Sequence, residues 1–332
     1  MRSTPSVRRA LGAALLLVAT LPGCASLPLI GDRFRSHFWG FVVPWDARSA
    51  ESAARNGGRL DAVVSGWTGL DTLTGRPVAI YPDSGGSAAG GRMMLVTTYA
   101  GDRFQTRVLL ALAATPARRD AMAGELARLA ERGGYRGLVL DFEGHSSADL
   151  GSLTAVVRAI SDSAHRRGVA PIVVAVPATD TAAYPARALV AAGADLILVM
   201  LYDQHWAGSP PGPLAAPDWA RQRLATRVAE VGASRLVVGL PLHGYHWRPD
   251  APTDVVSYAD AARIAAAAGL TLDREPASLT LRAVRPDSSQ VWVADAVLLR
   301  ALVADAERAG VRRFSLWRLG LEDPAVWDDI AR

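Results

Sequence analysis

The stretch Tyr135-Arg-Gly-Leu-Val-Leu-Asp-Phe-Glu143 joins a hydrophobic run to two carboxylates at its carboxyl end. Its apolar residues are consecutive rather than alternating, which is typical of a parallel strand covered on both faces. Because side chains alternate along a strand, Asp141 and Glu143 share one face, with Val139 below them. Two acids buried there are costly unless they are used, which indicates a functional site. The alternative is that Glu143 begins a loop and pairs with a surface arginine.

Seven similar runs follow or precede this stretch, separated by amphipathic segments. The predicted strands are Gly40–Val43, Ala62–Ser65, Met93–Thr97, Gly137–Asp141, Pro171–Val176, Leu196–Tyr202, Leu236–Pro241 and Phe314–Trp317. The predicted helices include Ala117–Arg132 after the start signal Thr115-Pro116, Asp149–Arg167, Trp219–Val231 and Ala294–Ala309. Eight strand–helix alternations predict an α/β fold, a (β/α)8 TIM barrel over residues 37–332, rather than an open sheet. Asp141 and Glu143 would then lie at the rim of the barrel lumen.

One segment departs from this alternation, between the seventh and eighth predicted strands, at about residues 249–295. It holds a short predicted helix, Tyr258–Ala268, and a predicted hairpin that pairs Ser278–Val284 with Gln290–Val293. Loops that leave the carboxyl ends of barrel strands build the active-site face. We therefore expect a small α+β excursion that forms a wall over the site.

The amino terminus is a different kind of sequence. Three arginines precede the apolar run Ala10–Leu21, which is too short to span a bilayer and is followed by Leu21-Pro-Gly-Cys24. This pattern resembles a bacterial lipobox, so residues 1–23 are predicted to be a lipoprotein signal peptide, Cys24 the lipidation site and residues 24–36 a linker. The protein would be a lipid-anchored lipoprotein of the cell envelope, facing the periplasm or in the outer membrane. The alternative for Cys24, the single cysteine, is a buried thiol.

Composition excludes several functions. The formal charge of +4 includes the three arginines of the predicted signal peptide, so the mature chain would carry about +1. The sequence also lacks the dense stripe of basic residues that would indicate nucleic-acid binding. All 36 basic residues are arginine, which excludes Schiff-base, pyridoxal phosphate and P-loop chemistry that need lysine. The six histidines show no metal-binding spacing. We expect no metal and no cofactor.

The spacing of the two acids restricts the mechanism if they act on a glycosidic bond. Two residues along one strand are separated by ~6.5 Å and approach a ligand from the same side. A retaining glycosidase with two catalytic carboxylates needs them on opposite sides of the anomeric carbon, usually from different strands. Asp141 and Glu143 therefore suit one acid and a helper, an arrangement in which the nucleophile can come from the substrate itself.

The same stretch resembles the fourth-strand signature DGxDxDxE of glycoside hydrolase family 18, the family of chitinases and endo-N-acetylglucosaminidases. Glu143 matches the final Glu and Asp141 the preceding Asp. Two positions depart from the signature: Arg136 stands where the first Asp would be, and Val139 where the second would be. The inner acid of the signature is therefore missing.

Three further stretches resemble family motifs in the expected order. Met200-Leu-Tyr-Asp203, continued by Gln204-His-Trp206, is similar to the sixth-strand MxYD motif. Gly239-Leu-Pro-Leu-His-Gly-Tyr-His-Trp247 resembles GxPLYGYxW, and Ser315-Leu-Trp-Arg-Leu-Gly-Leu-Glu-Asp323 resembles xxWxLGxED. The last two patterns belong to the cell-wall-lytic branch that includes spore-cortex-lytic enzymes. The resemblance covers about residues 39–330.

This resemblance implies roles for the matched residues. Glu143 would protonate the glycosidic oxygen and then activate water, while the substrate's 2-acetamido carbonyl attacks C1. Asp141 would hold the acetamido N–H and balance the charge of the oxazolinium ion. Tyr202 would donate to the acetamido oxygen, Asp203 would adjust the local field, and Trp317 would form an apolar floor. The remaining predicted substrate contacts, for which ordinary packing is the alternative, are Met200, Trp206, Tyr99, Trp67 and Trp247.

The leading hypothesis is therefore a hydrolase of β-1,4-linked N-acetylglucosaminyl bonds. A membrane tether suits a fixed polymer, so peptidoglycan or an exported polysaccharide is favoured over free chitin. One alternative is a lectin-like barrel that binds N-acetylglucosamine-containing glycan without cleaving it, which Arg136 and Val139 favour. Another is a barrel hydrolase in which Glu143 acts with a carboxylate from another strand, such as Asp46 or Asp203.

Overall fold

Eight parallel strands close into a barrel in the computed structural model, which describes residue 1, residues 35–81, residue 88 and residues 90–330. The strands are β1 (His37–Phe41), β2 (Ala62–Leu70), β3 (Arg92–Thr97), β4 (Tyr135–Asp141), β5 (Ile172–Pro177), β6 (Leu196–Met200), β7 (Leu236–Pro241) and β8 (Arg313–Trp317). Each pairs with its neighbour in sequence, and β1 also pairs with β8. The predicted (β/α)8 barrel is confirmed. The predicted signal peptide, Cys24 and nearly all of the linker lie outside the described residues, so those predictions remain predictions.

Helices connect the strands on the outside of the barrel. They are α1 (Ala47–Asn56), α2 (Thr106–Ala114), α3 (Pro116–Arg132), α4 (Leu150–His165), α5 (Ala186–Ala191), α6 (Pro217–Val231), α7 (Tyr258–Ala266), α8 (Ala296–Arg308) and α9 (Trp327–Ile330). Short 3-10 turns lie at Gly57–Arg59, Ser147–Asp149, Ala233–Arg235 and Pro324–Val326. The start of α3 is as predicted, with Thr115 as N-cap residue and Pro116 in the first turn, although the Thr115 side chain makes no capping hydrogen bond. Within the described residues, no helix has the length and apolarity that crossing a membrane requires.

Two apolar layers hold the barrel together. Side chains on the outer face of the strands pack against the helices in one buried cluster, which includes Leu138 of β4, Leu126 of α3 and Ile160 of α4. Side chains on the inner face fill the lumen, where Val139 packs with Val173 and their neighbours and is fully buried. Because both faces are covered, the strand residues are continuously apolar, as the sequence predicts.

Strand boundaries differ from the prediction at two places that matter for the site. Strand β2 continues to Leu70, past a register shift between Ser65 and Thr68. Gly66 has a φ of 64°, and a Cβ there would lie 2.3 Å from the hydroxyl of Tyr135, so this bulge needs glycine. Strand β6 ends at Met200, so the predicted extension to Tyr202 is wrong, and the end of the MxYD motif lies in a loop.

The segment between β7 and β8 is larger than predicted. Residues 244–293, called the insert below, form a five-stranded antiparallel sheet together with α7. Its strands are Gly244–Arg248, Ala251–Val256, Asp273–Arg274, Leu281–Val284 and Gln290–Val293. The predicted hairpin and short helix are present, but the predicted start at residue 249 is too late. The Gly244–Arg248 run pairs with Gln290–Val293 instead of continuing the barrel.

Two smaller strand pairs lie beside the barrel. Pro77–Ala79 pairs antiparallel with the end of β2, and a hairpin joins Tyr99–Ala100 to Arg103–Phe104 after β3. Both pairs follow the carboxyl ends of their barrel strands, so they build up the face on which barrel sites form.

Candidate active site

A cavity of about 620 Å³ opens at the carboxyl ends of the barrel strands. Eight of the predicted site residues line it: Asp141, Glu143, Tyr202, Asp203, Met200, Trp317, Trp67 and Tyr99. They come from β2, β3, β4, β6 and β8 or from the loops directly after them. The barrel therefore brings together residues that lie as far apart in the chain as Trp67 and Trp317.

The two predicted acids lie side by side in this cavity. Glu143 and Asp141 share a side-chain hydrogen bond, which the protonated Glu143 donates. Burial raises the pKa of Glu143 well above 4.5, and the charges of Asp141 and Asp203 raise it further. Burial also raises the pKa of Asp141, while the hydrogen bonds from Thr97 and Glu143 oppose that rise. The pair therefore keeps one proton towards neutral pH, and that proton is on Glu143.

The loop that carries Glu143 is fixed directly after it. Gly144 turns the chain with a φ of 78°, a conformation that glycine adopts without strain. The backbone N–H of His145 then donates to the Tyr184 hydroxyl at 2.9 Å. No arginine is among the groups that act on the Glu143 carboxyl, so the alternative of a surface ion pair is wrong for this residue.

The two departures from the family signature have different consequences. Arg136 lies at the start of β4, where its Nη1 donates to the Gly90 carbonyl at 2.5 Å, so it is at the opposite end of the strand from Asp141. Val139 lies in the lumen directly below the pair and adds no charge. Besides Glu143, Asp141 has a second hydrogen-bond donor in Thr97 of β3, whose Oγ1 lies 3.2 Å from Asp141 Oδ2.

Tyr202 and Asp203 reach the cavity from the loop after β6. Gly239 of β7 leaves room for the Tyr202 ring, since a Cβ on Gly239 would lie 3.1 Å from Tyr202 Cε1. Burial and the charge of Asp203 raise the pKa of the Tyr202 hydroxyl well above 10, so it stays a hydrogen-bond donor. Asp203 has a φ of 58°, and its Oδ1 accepts a hydrogen bond of 2.9 Å from the Tyr245 hydroxyl.

Aromatic rings form one wall and the floor of the cavity. Trp317 lies against Phe41 and Trp67, with ring centroids 5.2 Å and 6.4 Å away. Trp67 in turn contacts Trp45 at 4.7 Å, and its indole N–H donates to the Val42 carbonyl at 2.8 Å. Tyr81 continues this wall at 5.8 Å from Trp45. Such a surface suits the apolar face of a sugar ring.

Sequence reasoning missed part of this wall and part of the support for the acids. The missed cavity residues include Trp45, Tyr81, Phe104 and Thr97. Trp45 follows β1 within four residues, and an aromatic side chain just beyond a barrel strand is the signal that could have indicated it. Tyr81 and Thr97 have no comparable local signal, because barrel closure alone determines what they face.

Two predicted substrate contacts lie away from the cavity lining. Trp206 is half exposed on the loop after Asp203, outside the set of residues that line the cavity. Trp247 is buried in the insert with Tyr245 and Trp292, and its indole N–H donates to the Ser209 carbonyl at 3.0 Å. Trp247 therefore lies outside the cavity lining, with its ring and its indole N–H already engaged in packing, and its sugar-stacking role stays a prediction.

Asp46, one of the carboxylates proposed as a partner of Glu143, is poorly placed to act with it. Asp46 begins α1 and is held by Arg48 and Arg318, each 3.0 Å from Asp46 Oδ2. These contacts lower the pKa of Asp46 to about 2, and Asp46 is not part of the cavity lining. Across the described residues, no three His, Cys, Asp or Glu side chains are grouped as metal ligands.

This geometry defines what the cavity can do. A protonated carboxyl, Glu143, faces a space that also holds the carboxylate of Asp141 and the hydroxyl of Tyr202. Such a group can protonate a leaving oxygen, and the neighbouring carboxylates can stabilise a developing positive charge. The aromatic floor can hold a ring while this happens.

Comparison with known proteins agrees with this site. Residues 100–293 match the model for glycosyl hydrolases family 18. YdhD of Bacillus subtilis, named as a sporulation-specific glycosylase, is 29% identical over 157 residues, which cover 46% of this chain and 37% of YdhD. The cortical fragment-lytic enzyme of the same organism is 25% identical over 254 residues, covering 71% of this chain and 58% of that enzyme. The chain thus matches between about a third and three fifths of the length of these curated relatives.

A solved structure agrees in fold. A chitinase from Chromobacterium violaceum superposes with a TM-score of 0.77 over 89% of this chain and 98% of that one, at 21% identity. The family model covers more than half of the chain and includes the Asp141–Glu143 pair, Tyr202 and Asp203. The chain belongs to the glycosyl hydrolases family 18.

Proposed function

We propose that this protein hydrolyses β-1,4-linked N-acetylglucosaminyl bonds with retention of configuration, using the substrate's acetamido group as nucleophile. The observation that carries this proposal is the hydrogen-bonded Asp141–Glu143 pair, in which Glu143 holds the proton. Both carboxyls enter the cavity from one strand end, so they reach a bound sugar from the same side. That arrangement supplies an acid and a helper rather than two flanking carboxylates.

The first step protonates the leaving group. Glu143 transfers its proton to the glycosidic oxygen as the bond to C1 breaks, while the acetamido carbonyl oxygen attacks C1 to form an oxazolinium ion. Asp141 accepts a hydrogen bond from the acetamido N–H and balances the positive charge, and Tyr202 donates its hydroxyl to the acetamido oxygen. In the second step Glu143, now ionised, takes a proton from water as that water attacks C1.

The other carboxylate in the cavity is engaged in a way that favours substrate assistance. Asp203 Oδ1 accepts a hydrogen bond from the Tyr245 hydroxyl and lies 3.6 Å from His243 Nε2, so this oxygen already has partners. Its negative charge raises the pKa of Glu143, which keeps the acid protonated. Asp203 therefore adjusts the field at the site, as the resemblance to the family implies.

We further propose that the substrate is a glycan of the cell envelope, either peptidoglycan or an exported polysaccharide. The names of the curated relatives, a sporulation-specific glycosylase and a cortical fragment-lytic enzyme, support a cell-wall polymer over free chitin. The lipobox-like sequence at Cys24 supports a lipid tether at a membrane facing the envelope space. A tethered enzyme acts on polymer that is fixed nearby.

A second candidate function is a glycan-binding barrel with little or no catalysis. Val139 favours it, because this residue leaves no inner carboxyl below the Asp141–Glu143 pair. The retained proton on Glu143 and the hydroxyl of Tyr202 favour the enzyme. Turnover separates the two functions, since both predict binding of N-acetylglucosamine oligomers.

The deciding experiment compares purified protein on two matched substrates, N-acetylglucosamine oligomers and their de-N-acetylated counterparts. We expect the acetylated oligomers to be hydrolysed. For the de-N-acetylated oligomers we expect kcat to fall much more than binding affinity does. Asp141→Ala should lower kcat strongly, because the oxazolinium ion loses its counter-charge. Binding without any turnover would favour the lectin-like function. A covalent glycosyl ester trapped on a carboxylate with a fluorosugar would contradict substrate assistance and identify an enzyme nucleophile.

A further inference from the structure

His243 lies directly behind the cavity wall. It follows β7 by two residues and leads into the first strand of the insert. Its side chain is only 3% exposed, and it is not part of the cavity lining. An imidazole in this position does not touch a bound sugar, so any effect on the reaction must pass through its neighbours.

Those neighbours are parts of the active site. The imidazole Nε2 lies 3.6 Å from Asp203 Oδ1, and Nδ1 lies 3.4 Å from the backbone carbonyl oxygen of Trp317. The ring also meets Tyr202 and Tyr245 edge to face, with centroids 6.0 Å and 5.1 Å away. His243 thus connects the loop after β6, the floor residue at the end of β8 and the insert.

Both atoms that face the ring nitrogens are hydrogen-bond acceptors. A carbonyl oxygen and a carboxylate oxygen have no proton to give, whereas a neutral imidazole has a single N–H. In either neutral tautomer, one nitrogen lone pair would therefore point at an oxygen lone pair. The imidazolium has an N–H on each nitrogen and can donate to both acceptors.

We propose that His243 is a positioning residue that carries a proton on both nitrogens and acts as the charge partner of Asp203 behind the active-site wall. Its Nδ1 donates to the Trp317 carbonyl, and its protonated Nε2 forms an ion pair with Asp203 Oδ1 at 3.6 Å. Among the described residues, the charged group that pairs with the His243 ring is Asp203. The titratable hydroxyls beside the His243 ring are those of Tyr202 and Tyr245. The kinetic part of this proposal rests on the proposed function, but the protonation state does not.

This pairing sets how strongly Asp203 acts on the catalytic acid. The charge of Asp203 raises the pKa of Glu143, and a positive imidazolium beside Asp203 offsets part of that charge. Removal of the positive charge should therefore raise the pKa of Glu143 further. Since Glu143 must be protonated to act as an acid, the alkaline limb of the activity profile should move to higher pH.

The direct test is nitrogen NMR of wild-type protein labelled at the histidine ring nitrogens. The His243 signals are assigned as those lost in His243→Gln and in His243→Asn, whichever folds. We expect both His243 nitrogens to carry protons near neutral pH. A single protonated nitrogen there would overturn the proposal whether or not the protein hydrolyses any glycan.

The kinetic test follows kcat/KM against pH for wild type and His243→Gln. We expect the alkaline limb of His243→Gln to move up by about half a pH unit, as for the loss of one partly screened charge near the acid. In an Asp203→Asn background, which removes the charge that His243 offsets, the same substitution should move the limb no further. An equal upward movement in both backgrounds would show that His243 does not act through Asp203.

The matched control is His246→Gln. His246 is a buried histidine three residues further along the same segment, 7% exposed, and it lies outside the machinery described above. It should leave the alkaline limb unchanged. If His246→Gln moved the limb as His243→Gln does, a general disturbance of the insert would explain both results, and the proposal would be wrong. Absence of turnover in wild type would instead contradict the proposed function, and the NMR test would still decide the protonation of His243.

Discussion

Replacing Glu143 with glutamine should inactivate the protein and also make it more stable at neutral pH. Burial and the neighbouring carboxylates raise the pKa of Glu143 above its value of 4.5 in an unfolded chain. Above pH 4.5 the unfolded state therefore releases a proton that the folded state keeps, so stability falls as pH rises through this window. Glutamine has the same shape, cannot ionise and can still donate a hydrogen bond to Asp141.

The size of the effect follows from the same linkage. Each pH unit between the unfolded pKa and the working pH is worth about 1.4 kcal/mol, so an acid still protonated at pH 7 costs at most about 3 kcal/mol. Glu143 shares its proton with Asp141, which lowers the cost assigned to Glu143 alone. We therefore expect Glu143→Gln to gain about 1 to 2 kcal/mol near pH 7, or about 4 °C in Tm for a domain of this size. Turnover should fall by at least ~100-fold, the lower end of the contribution of a general acid.

The assay is thermal unfolding of wild type and variant at a series of pH values, with turnover measured on the same samples. The stability gain should be largest from neutral to mildly alkaline pH and absent at about pH 4, where Glu143 is protonated in both states. The control is Glu51→Gln, because Glu51 is exposed on α1 and meets Arg55 only at 3.9 Å. A variant that gains the same stability at every pH, or none at all, would refute the raised pKa. A variant that keeps more than a tenth of wild-type turnover would refute the role of Glu143 as acid.

Three further predictions concern other parts of the chain. Gly239→Ala should displace the Tyr202 ring, because the new Cβ would lie 3.1 Å from Tyr202 Cε1. Steady-state kinetics should then show a kcat about tenfold lower with KM little changed. An unchanged kcat would contradict the role of the Tyr202 position in catalysis. Trp45→Ala should raise KM for long oligomers about fivefold with kcat nearly constant, since the ring is half exposed on the cavity wall; equal KM values would exclude Trp45 from sugar binding. Cys24→Ser should abolish lipid labelling in cells while the purified barrel stays active, and a wild-type protein without lipid would contradict the lipobox.

The barrel was predictable because its strands are buried on both faces. Continuous apolar runs such as Leu236–Pro241 indicate buried parallel strands when eight of them alternate with helices. The Asp141–Glu143 pair was predictable from its two-residue spacing at a strand end, although Glu143 lies two residues beyond the end of β4. These are local signals, and each is complete within fewer than ten residues.

The remaining parts of the site depend on contacts between distant segments. Thr97 donates to Asp141 because β3 and β4 pair in register at these two residues, and nothing near Thr97 in the sequence indicates that pairing. Trp45 joins Trp67 and Trp317 only because β1 lies between β2 and β8 in the closed barrel. Patterns in a single sequence do not show which distant segments are in contact, so only the structure shows that Thr97 and Trp45 belong to the site.

The insert contacts the active site through Tyr245, although none of its residues lines the cavity. The strand Gly244–Arg248 places Tyr245 and Trp247 on the same side of the sheet, because they are two residues apart. Trp247 buries its ring among insert residues, while the hydroxyl of Tyr245 continues past them to Asp203. His243, one residue before this strand, contacts the same carboxylate. Asp203 is therefore held from the insert, although it belongs to the loop after β6. The segment that packs Trp247 thus also holds Asp203, whose charge raises the pKa of Glu143.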